Sequence, residues 1–474
     1  MTKYRSKPRK KVGPEGDVVI IGAARQGLAL ARYLSRHGHS VLINDQRTEN
    51  DLTPEINSLR EWNIKWLLGT HDPNQLTNKP ILVCPSGGVP LDNPMVVYAL
   101  ENHIPLSNDT EIFLSLAPCR TIGITGSAGK TTTTTLVGRM ARACEGIQYR
   151  KVWVGGNIGD PLINYLDEIQ ARDLAILEIS SFQAEQLRTS PKIAAILNIT
   201  PNHLDRHGNM KNYTAAKANV IAHQSAEDFA VLNRDDRGSI QFRASFSGRL
   251  FSYGFQPLPP GEDGVIMDGD DLLIHFNGIQ TRIPIGTVLS LPGRHNLQNA
   301  MAASALAFLA GVPEEAILTG LRDFRGVPHR LELFGEWNGV RWINDSIGTT
   351  PERSLAAINA FEGDLVLFLG GRDKKLPWKE LAKLCHQRVK KIYLFGEAAP
   401  LIEKALKPIP QGSVLRQIRS APGLFEAAQM AVKEVEPGDT VLFSPGGTSY
   451  DEFKDFAERG ERFKEWITRL IENQ

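Results

Sequence analysis

At 474 residues the chain is long enough for roughly three domains of ordinary size, and its 42% hydrophobic and 23% charged content is that of a globular protein. A formal net charge of +1 offers no overall field to nucleic acid or to an anionic membrane, and no apolar run approaches the length of a membrane-spanning helix. Cys84, Cys119, Cys144 and Cys385 are scattered without a CxxC pair, which suits a reducing cytoplasm and points neither to a disulfide framework nor to a zinc site.

Residues 1–16 carry the one basic run, Lys3 to Lys11. It has no apolar core segment, so it is no secretory signal, and a solvated, disordered tail is expected. The first α/β unit, 17–117, opens with the strand Asp17–Ile21, the turn Gly22–Gly27 and an amphipathic helix from Leu28 to His37. A second strand, Ser40–Asn44, ends at Asp45. The order is that of a dinucleotide-binding βαβ, but the middle glycine of GxGxxG, which lets the backbone approach a pyrophosphate, is Ala24. That argues against NAD and leaves another nucleotide open. Ile81–Gly88 reads as a further strand with a Gly-rich end, where plain turn chemistry and ligand binding are both open.

The second unit, 118–325, carries the most informative motif. A short strand, Pro118–Ile122, leads into Gly123-Ile-Thr-Gly-Ser-Ala-Gly-Lys-Thr-Thr132 and then a helix. A strand, a Gly-rich turn ending in Gly-Lys-Thr and a helix N-terminus make a phosphate cradle, in which Lys130 reaches the outer phosphates and Thr131 can hold Mg²⁺. Strict spacing asks for glycine at 124, where this chain has Ile124. The strand Asp173–Glu178 ends in an acid placed to hold Mg²⁺, unless Glu178 is simply a solvated strand end. After Ala194–Ile199, the turn Thr200-Pro-Asn202 brings His203, Asp205 and His207, a group able to bind metal but of a common kind. Lys217, on an expected helix from Asn212, reads by itself as a surface lysine.

The third unit, 326–474, has a hairpin pattern at Leu331–Phe334 and Val340–Asn344. The polar turn Asp345–Pro351 follows, and then strands Asp364–Leu369, Lys391–Phe395 and Asp439–Phe443, each ending in Gly or Ser. Hinges are expected near 112–119 and 320–328. The fold class is α/β in three domains: N-terminal Rossmann-like, a central P-loop-type ATPase sheet, and C-terminal Rossmann-like.

Together these motifs resemble the Mur ligase family of peptidoglycan synthesis, over nearly all of the chain after the tail. The pieces that carry the resemblance stand in family order: Thr125-Gly-Ser-Ala-Gly-Lys-Thr131, Gly155–Gly159, Glu178–Gln183, Asn198–Asp205, Tyr213–Lys217, Gly293–Asn299, Pro328–Arg330, Trp342–Ser346, Leu369–Lys374 and Ser444–Gly460. The resemblance implies a cytoplasmic, monomeric ADP-forming ligase. It would use ATP and Mg²⁺ to join glutamate, the D-isomer expected, to UDP-N-acetylmuramoyl-L-alanine through an acyl phosphate, with no nucleic-acid partner and no membrane insertion.

Carried over by position, Lys130, Glu178, His203 and Lys217 would be catalytic. Thr131, Glu178, His203 and a carbamylated Lys217 would hold metal. Gly126, Ser127, Ala128, Gly129, Lys130, Thr131, Thr132, Asn296, Asn299, Arg330 and Asp345 would bind ATP. Arg25, Gln26, Asp45, Gln46, Arg47, Gly88, Asn157 and Ser180 would bind the UDP substrate, and Thr349, Lys374, Ser449 and Phe456 the glutamate. A UDP-binding first domain accounts for Ala24. Two departures fall at the amino-acid end: Ile347 stands where the family usually has lysine, and Ser444-Pro-Gly-Gly-Thr-Ser449 replaces the usual Ser-Pro-Ala-Cys-Ala-Ser. They leave an L-glutamate-adding branch open, with Lys374 and Arg372 as candidates for the missing charge. A non-catalytic nucleotide-binding regulator on the same fold is the other alternative, which intact Lys130, Glu178 and Lys217 argue against.

Overall fold

The computed structural model describes residues 16–286, 294–324, 326–363, 365–374 and 376–472, with Asp205 described in its backbone alone. The basic tail up to residue 15, Gly293 and Asp364 of the sequence motifs lie outside these residues. By its contacts the chain divides into two compact units, Met1–Phe324 and Arg325–Gln474.

The first unit holds two sheets. The N-terminal sheet has four parallel strands, β1 (Asp17–Ile21), β2 (Ser40–Asp45), β3 (Ile64–Leu68) and β4 (Leu82–Pro85), in the order β3-β2-β1-β4. Every residue of β1 is buried, as expected of a central parallel strand covered on both faces. The helix after it runs Arg25–Arg36, beginning ahead of the expected Leu28. Gly27 sits inside its first turn, where a Cβ would lie 2.1 Å from the Gly22 carbonyl oxygen, so the close approach of helix to strand requires glycine there.

The second sheet runs through β5 (Arg120–Thr125), β6 (Val152–Gly156), β7 (Leu174–Glu178), β8 (Ile193–Ile196), β9 (Phe229–Asn233), β10 (Arg249–Gly254), β11 (Gly264–Asp268), β12 (Asp271–Phe276) and β13 (Ile279–Ile283). Their order is β13-β12-β11-β10-β9-β8-β5-β7-β6, parallel from β6 to β11 and antiparallel at the two hairpins beyond. Successive strands are added on one side of β5 up to β7 and on the other from β8 onward. The carboxyl end of β5 is therefore a switch point, where such sheets bind ligands. The expected strand ended at Ile122, but β5 continues to Thr125, and Ile124 pairs with Glu178 of β7. Ile124 is a fully buried strand residue, so the turn begins at Gly126 and has no need of glycine at 124.

One hydrophobic core joins both sheets, from Val18 and Ile43 to Leu177 and Leu232. Polar bonds reinforce it. Asn108 Nδ2 donates to the Gln183 carbonyl oxygen at 2.9 Å, and Glu111 accepts the Arg188 and Thr189 amides at 2.8 and 3.0 Å. Half of the hinge expected at 112–119 is helix Asp109–Leu116, tied into this network.

The second unit has β14 (Glu332–Trp337), β15 (Val340–Asn344), β16 (Leu365–Gly370), β17 (Val389–Phe395), β18 (Gln417–Ser420) and β19 (Thr440–Gly446), in the order β14-β15-β19-β16-β17-β18. All pairs are parallel except the β14–β15 hairpin. The strand period of two divides β16 between two cores: Leu365, Leu367 and Leu369 face one, Val366 and Phe368 the other.

Candidate active site

The turn after β5 is held open by its own polar groups. Asn198, just past β8, accepts the Ala128 amide at 2.8 Å and donates to the Ala128 carbonyl oxygen at 3.1 Å. Ser127 Oγ donates to the Thr200 carbonyl oxygen at 2.9 Å and lies 2.9 Å from the Tyr213 hydroxyl. Gly129 caps the helix Lys130–Arg142 at φ 82°, and a Cβ there would meet Asn299 Oδ1 at 2.3 Å. That contact brings Asn299, from helix Arg294–Ala310, against the loop. Lys130 folds back over the turn, its Nζ 2.8 Å from the Gly126 carbonyl oxygen. Thr132 lies in the same first helical turn.

At the end of β7 Glu178 is buried, not solvated. Its carboxylate accepts the Thr131 hydroxyl and the Asn157 amide group, each at 2.7 Å. The Asn157 backbone amide also donates to the Glu178 carbonyl oxygen at 2.8 Å, which locks the β6 turn beside the phosphate turn. Lys217 overturns its reading as a surface lysine: it is 1% exposed. Helix Met210–Ala222 aims it under the loop, where Nζ donates to the Gly126 carbonyl oxygen at 2.9 Å and the Thr125 hydroxyl at 3.3 Å. Burial, and then the neighbouring charge of Lys130, push its pKa well below the lysine range, with Glu178 opposing. Lys130, Thr131, Glu178, Asn157 and Lys217 thus form one contiguous group.

The three-residue group at 203–207 divides. His207 is buried, stacked on Phe182 at 5.2 Å with Nε2 3.0 Å from Ser181 Oγ, which is packing. His203 is exposed, in the left-handed region at φ 51°, its ring 5.1 Å from Phe182. Asp205 has no described side chain. Among the described residues no three His, Cys, Asp or Glu side chains gather as a metal centre.

In the N-terminal sheet Asp45 is consumed locally. It accepts the Ala23 amide at 2.7 Å and three bonds from Arg47, whose Nη2 also donates to the Ala23 carbonyl oxygen at 3.1 Å. Burial works to raise the Asp45 pKa, but the bonds from Arg47 and Ala23 outweigh it and hold the group at about 2. The pair shapes the turn after β1, while Gln46 and Gly88 are exposed at its rim. Gln26 Oε1 faces Gly87. Arg25 reaches across to the second sheet, its guanidinium 2.9 Å from the Asn157 carbonyl oxygen. Ser180 caps helix Ser181–Ala184 in a capping box with Gln183.

In the second unit Asp345 is buried at the end of β15. Burial pushes its pKa up to about 6, although it accepts Ser444 Oγ at 2.7 Å and the Leu331 amide at 3.2 Å. Arg330 lies in the turn that delivers that amide. Lys374 Nζ reaches Thr349 Oγ1 at 3.5 Å. Ser449 is buried, and Phe456 begins helix Phe456–Glu472 with its carbonyl oxygen 2.8 Å from Ser346 Oγ.

Three stretches match family models: residues 16–108 the Mur ligase MurD-like N-terminal domain, 124–307 the Mur ligase middle domain and 329–447 the Mur ligase glutamate ligase domain. The UDP-N-acetylmuramoylalanine–D-glutamate ligases of Pelotomaculum thermopropionicum and Acetivibrio thermocellus are 37% and 35% identical, each over 96% of this chain and 97% and 96% of theirs. This chain belongs to the Mur ligase family. The UDP-N-acetylmuramate–alanine ligase MurC of Thermotoga maritima shares the Mur ligase fold at TM-score 0.51 and 20% identity, over 97% of this chain and 100% of that one. As a Mur ligase the chain is an ADP-forming ligase of an acid with an amino acid.

One residue of this Mur ligase escaped the sequence reading. Arg459 is 0% exposed and donates to Ser346 Oγ and to the carbonyl oxygens of Ser346 and Gly447 at 2.9–3.0 Å. It draws the two loops that depart from the family pattern together. A signal was available: Arg459 falls in the apolar stripe with Phe463 and Ile467, where a surface arginine has no place.

Proposed function

We propose that this Mur ligase joins D-glutamate to UDP-N-acetylmuramoyl-L-alanine in the cytoplasm, converting ATP to ADP and phosphate. The observation that carries this reading is end-to-end likeness, at 35–37% identity over about the whole chain, to proteins named as D-glutamate ligases.

A carboxylate is a poor electrophile until one of its oxygens becomes part of a phosphate. The substrate carboxylate attacks the γ-phosphorus and ADP departs. The glutamate amine then attacks the acyl carbon, phosphate leaves, and the amine loses its proton. Phosphoryl transfer is chiefly a matter of positioning and charge. Lys130 and the amides of Gly126–Thr132 hold the outer phosphates. Asn296, Asn299, Arg330 and Asp345 hold the rest of ATP. Arg25, Gln26, Asp45, Gln46, Arg47, Gly88, Asn157 and Ser180 serve the UDP substrate, and Thr349, Lys374, Ser449 and Phe456 the glutamate.

The Thr131 hydroxyl and Glu178 carboxylate, 2.7 Å apart, are hard oxygen donors of the kind that hold Mg²⁺ together with phosphate and water. With His203 and a carbamylated Lys217 they would hold the ion, which supplies charge neutralisation at the phosphates. Lys217 suits carbamylation because burial and the neighbouring Lys130 charge disfavour its ammonium form, and the free amine adds CO₂ with loss of one proton. The carbamate carries a negative charge, which attracts the Lys130 ammonium.

The departures at Ile347 and Ser444–Ser449 favour one second reading, L-glutamate as the amine. Product analysis with ATP, Mg²⁺, UDP-N-acetylmuramoyl-L-alanine and either isomer tests both. Product from the D-isomer alone upholds the proposal; product from the L-isomer alone replaces it with the second reading. No product from either sends the search to another acceptor.

A further inference from the structure

The turn after β4, residues 86–89, is pinned from two sheets. Ser86 anchors its near end to β1: its amide donates to the Ile21 carbonyl oxygen at 2.9 Å and its hydroxyl to that of Gly22 at 3.2 Å. The Val89 amide closes the turn on the Ser86 carbonyl oxygen at 2.9 Å. Between them stand Gly87 and Gly88, which have the most backbone freedom of any residue type and no side chain to hold. The far end is held by Arg206, whose Nη2 donates to the Val89 carbonyl oxygen.

Arg206 belongs to the other sheet of the first unit. It lies on the short helix Leu204–His207, with His203 at the N-cap. Its guanidinium carbon is 5.5 Å from the centre of the Phe182 ring. Phe182 also backs the turn, since a Cβ on Gly87 would lie 3.5 Å from the Phe182 Cβ. The Nε and Nη1 atoms of Arg206 are buried and find no hydrogen-bond acceptor among the described residues. Glu185 is the carboxylate whose charge bears on it: burial holds the Glu185 carboxyl above its ordinary range and Arg206 opposes. No hydrogen bond joins the two among the described residues.

A guanidinium buried with two idle N–H groups costs stability, and an unbranched apolar side chain would fill the same space without that cost. What the arginine adds is the bond to Val89. We propose that Arg206 is a positioning residue for the UDP substrate, which reaches across from the central sheet to fix the glycine turn that the substrate meets. The proposal rests on the assignment of Gly88 to the UDP substrate above.

The test is isothermal titration of the full chain with UDP-N-acetylmuramoyl-L-alanine and, separately, with ADP, beside steady-state kinetics and melting curves. Arg206→Met should weaken binding of the UDP substrate about tenfold, the loss of one bond from a charged donor, and raise its KM in step. The Kd for ADP should stay within about twofold, kcat at saturation within about threefold, and the melting temperature within about 3 °C of wild type. Arg206→Lys, which keeps a cationic donor, should recover part of the affinity. Unchanged affinity for the UDP substrate in Arg206→Met overturns the proposal alone. So does a parallel loss of ADP binding or a larger fall in melting temperature, either of which marks a purely structural role. Wild-type protein that binds no UDP-N-acetylmuramoyl-L-alanine overturns the functional reading and the proposal with it.

Discussion

The phosphate turn of the first unit and the paired loops of the second, 345–351 and 444–449, are built alike and finished differently. Both lie at the carboxyl ends of strands with parallel neighbours and both are rich in Gly, Ser and Thr. In the phosphate turn each charge has a protein partner close by: Lys130 lies on the Gly126 carbonyl oxygen and Glu178 accepts Thr131 and Asn157. In the second unit the charges of Arg353 and Arg459 bear on Lys374, whose ammonium reaches the Thr349 hydroxyl at 3.5 Å. The first region is set up by the fold for chemistry any family member performs. The second is where the proposed assignment has the amine chosen. On that assignment, reaction type and substrate choice are physically separate problems in this protein.

The largest effect should come from the phosphate turn. Lys130→Ala should lower kcat by about a thousandfold or more by removing the cation on the transferred phosphoryl group, measured as ADP release. Near-normal turnover would break the assignment of chemistry to this region. Lys217→Ala should cost about a hundredfold, and formate or acetate should restore part of the activity by standing in for the carbamate. Full activity in the unsupplemented variant would remove the carbamate from the mechanism.

Two buried carboxyls sharpen the contrast through pH. The pKa of Asp45, held at about 2, lies below its unfolded value, so its contribution to stability is present above pH 4 and lost as pH falls toward 2. That of Asp345, at about 6, lies above its unfolded value, so its contribution is full below pH 4 and lost as pH rises through 6. Asp345→Asn should therefore melt at the wild-type temperature near pH 4 and be more stable by about 2–3 kcal/mol at pH 8, although ATP use suffers. Equal melting of the two proteins at pH 8 would show that Asp345 ionises without penalty. The smallest effect is expected at Arg372→Ala. With its charge spent on exposed Glu397, KM for glutamate should stay within about twofold of wild type.

Strands β1, β2, β4, β16, β17 and β19, the phosphate turn and the acid closing β7 were legible because a buried parallel strand ending in Gly, Ser or an acid is a local pattern, whereas β3 and β18 went unread. Strand β5 was cut short because Gly123 resembled the start of a turn, yet Gly123 and Ile124 are paired on both sides by β7 and β8. The largely exposed edge strand β13 passed unread for want of a continuous apolar run, and β9 to β12 went unread as well. Lys217 was misread by itself because burial of a lysine is decided by what packs over it, here the β5 turn and Tyr213.

The most direct measurement follows the oxygen. UDP-N-acetylmuramoyl-L-alanine labelled with ¹⁸O in its alanine carboxylate is turned over with ATP and D-glutamate, and the released phosphate is examined by mass spectrometry or ³¹P NMR. An acyl phosphate made at the Lys130 turn predicts one ¹⁸O in each inorganic phosphate, with ADP as the sole nucleotide product. Unlabelled phosphate, or AMP and pyrophosphate as products, would contradict it.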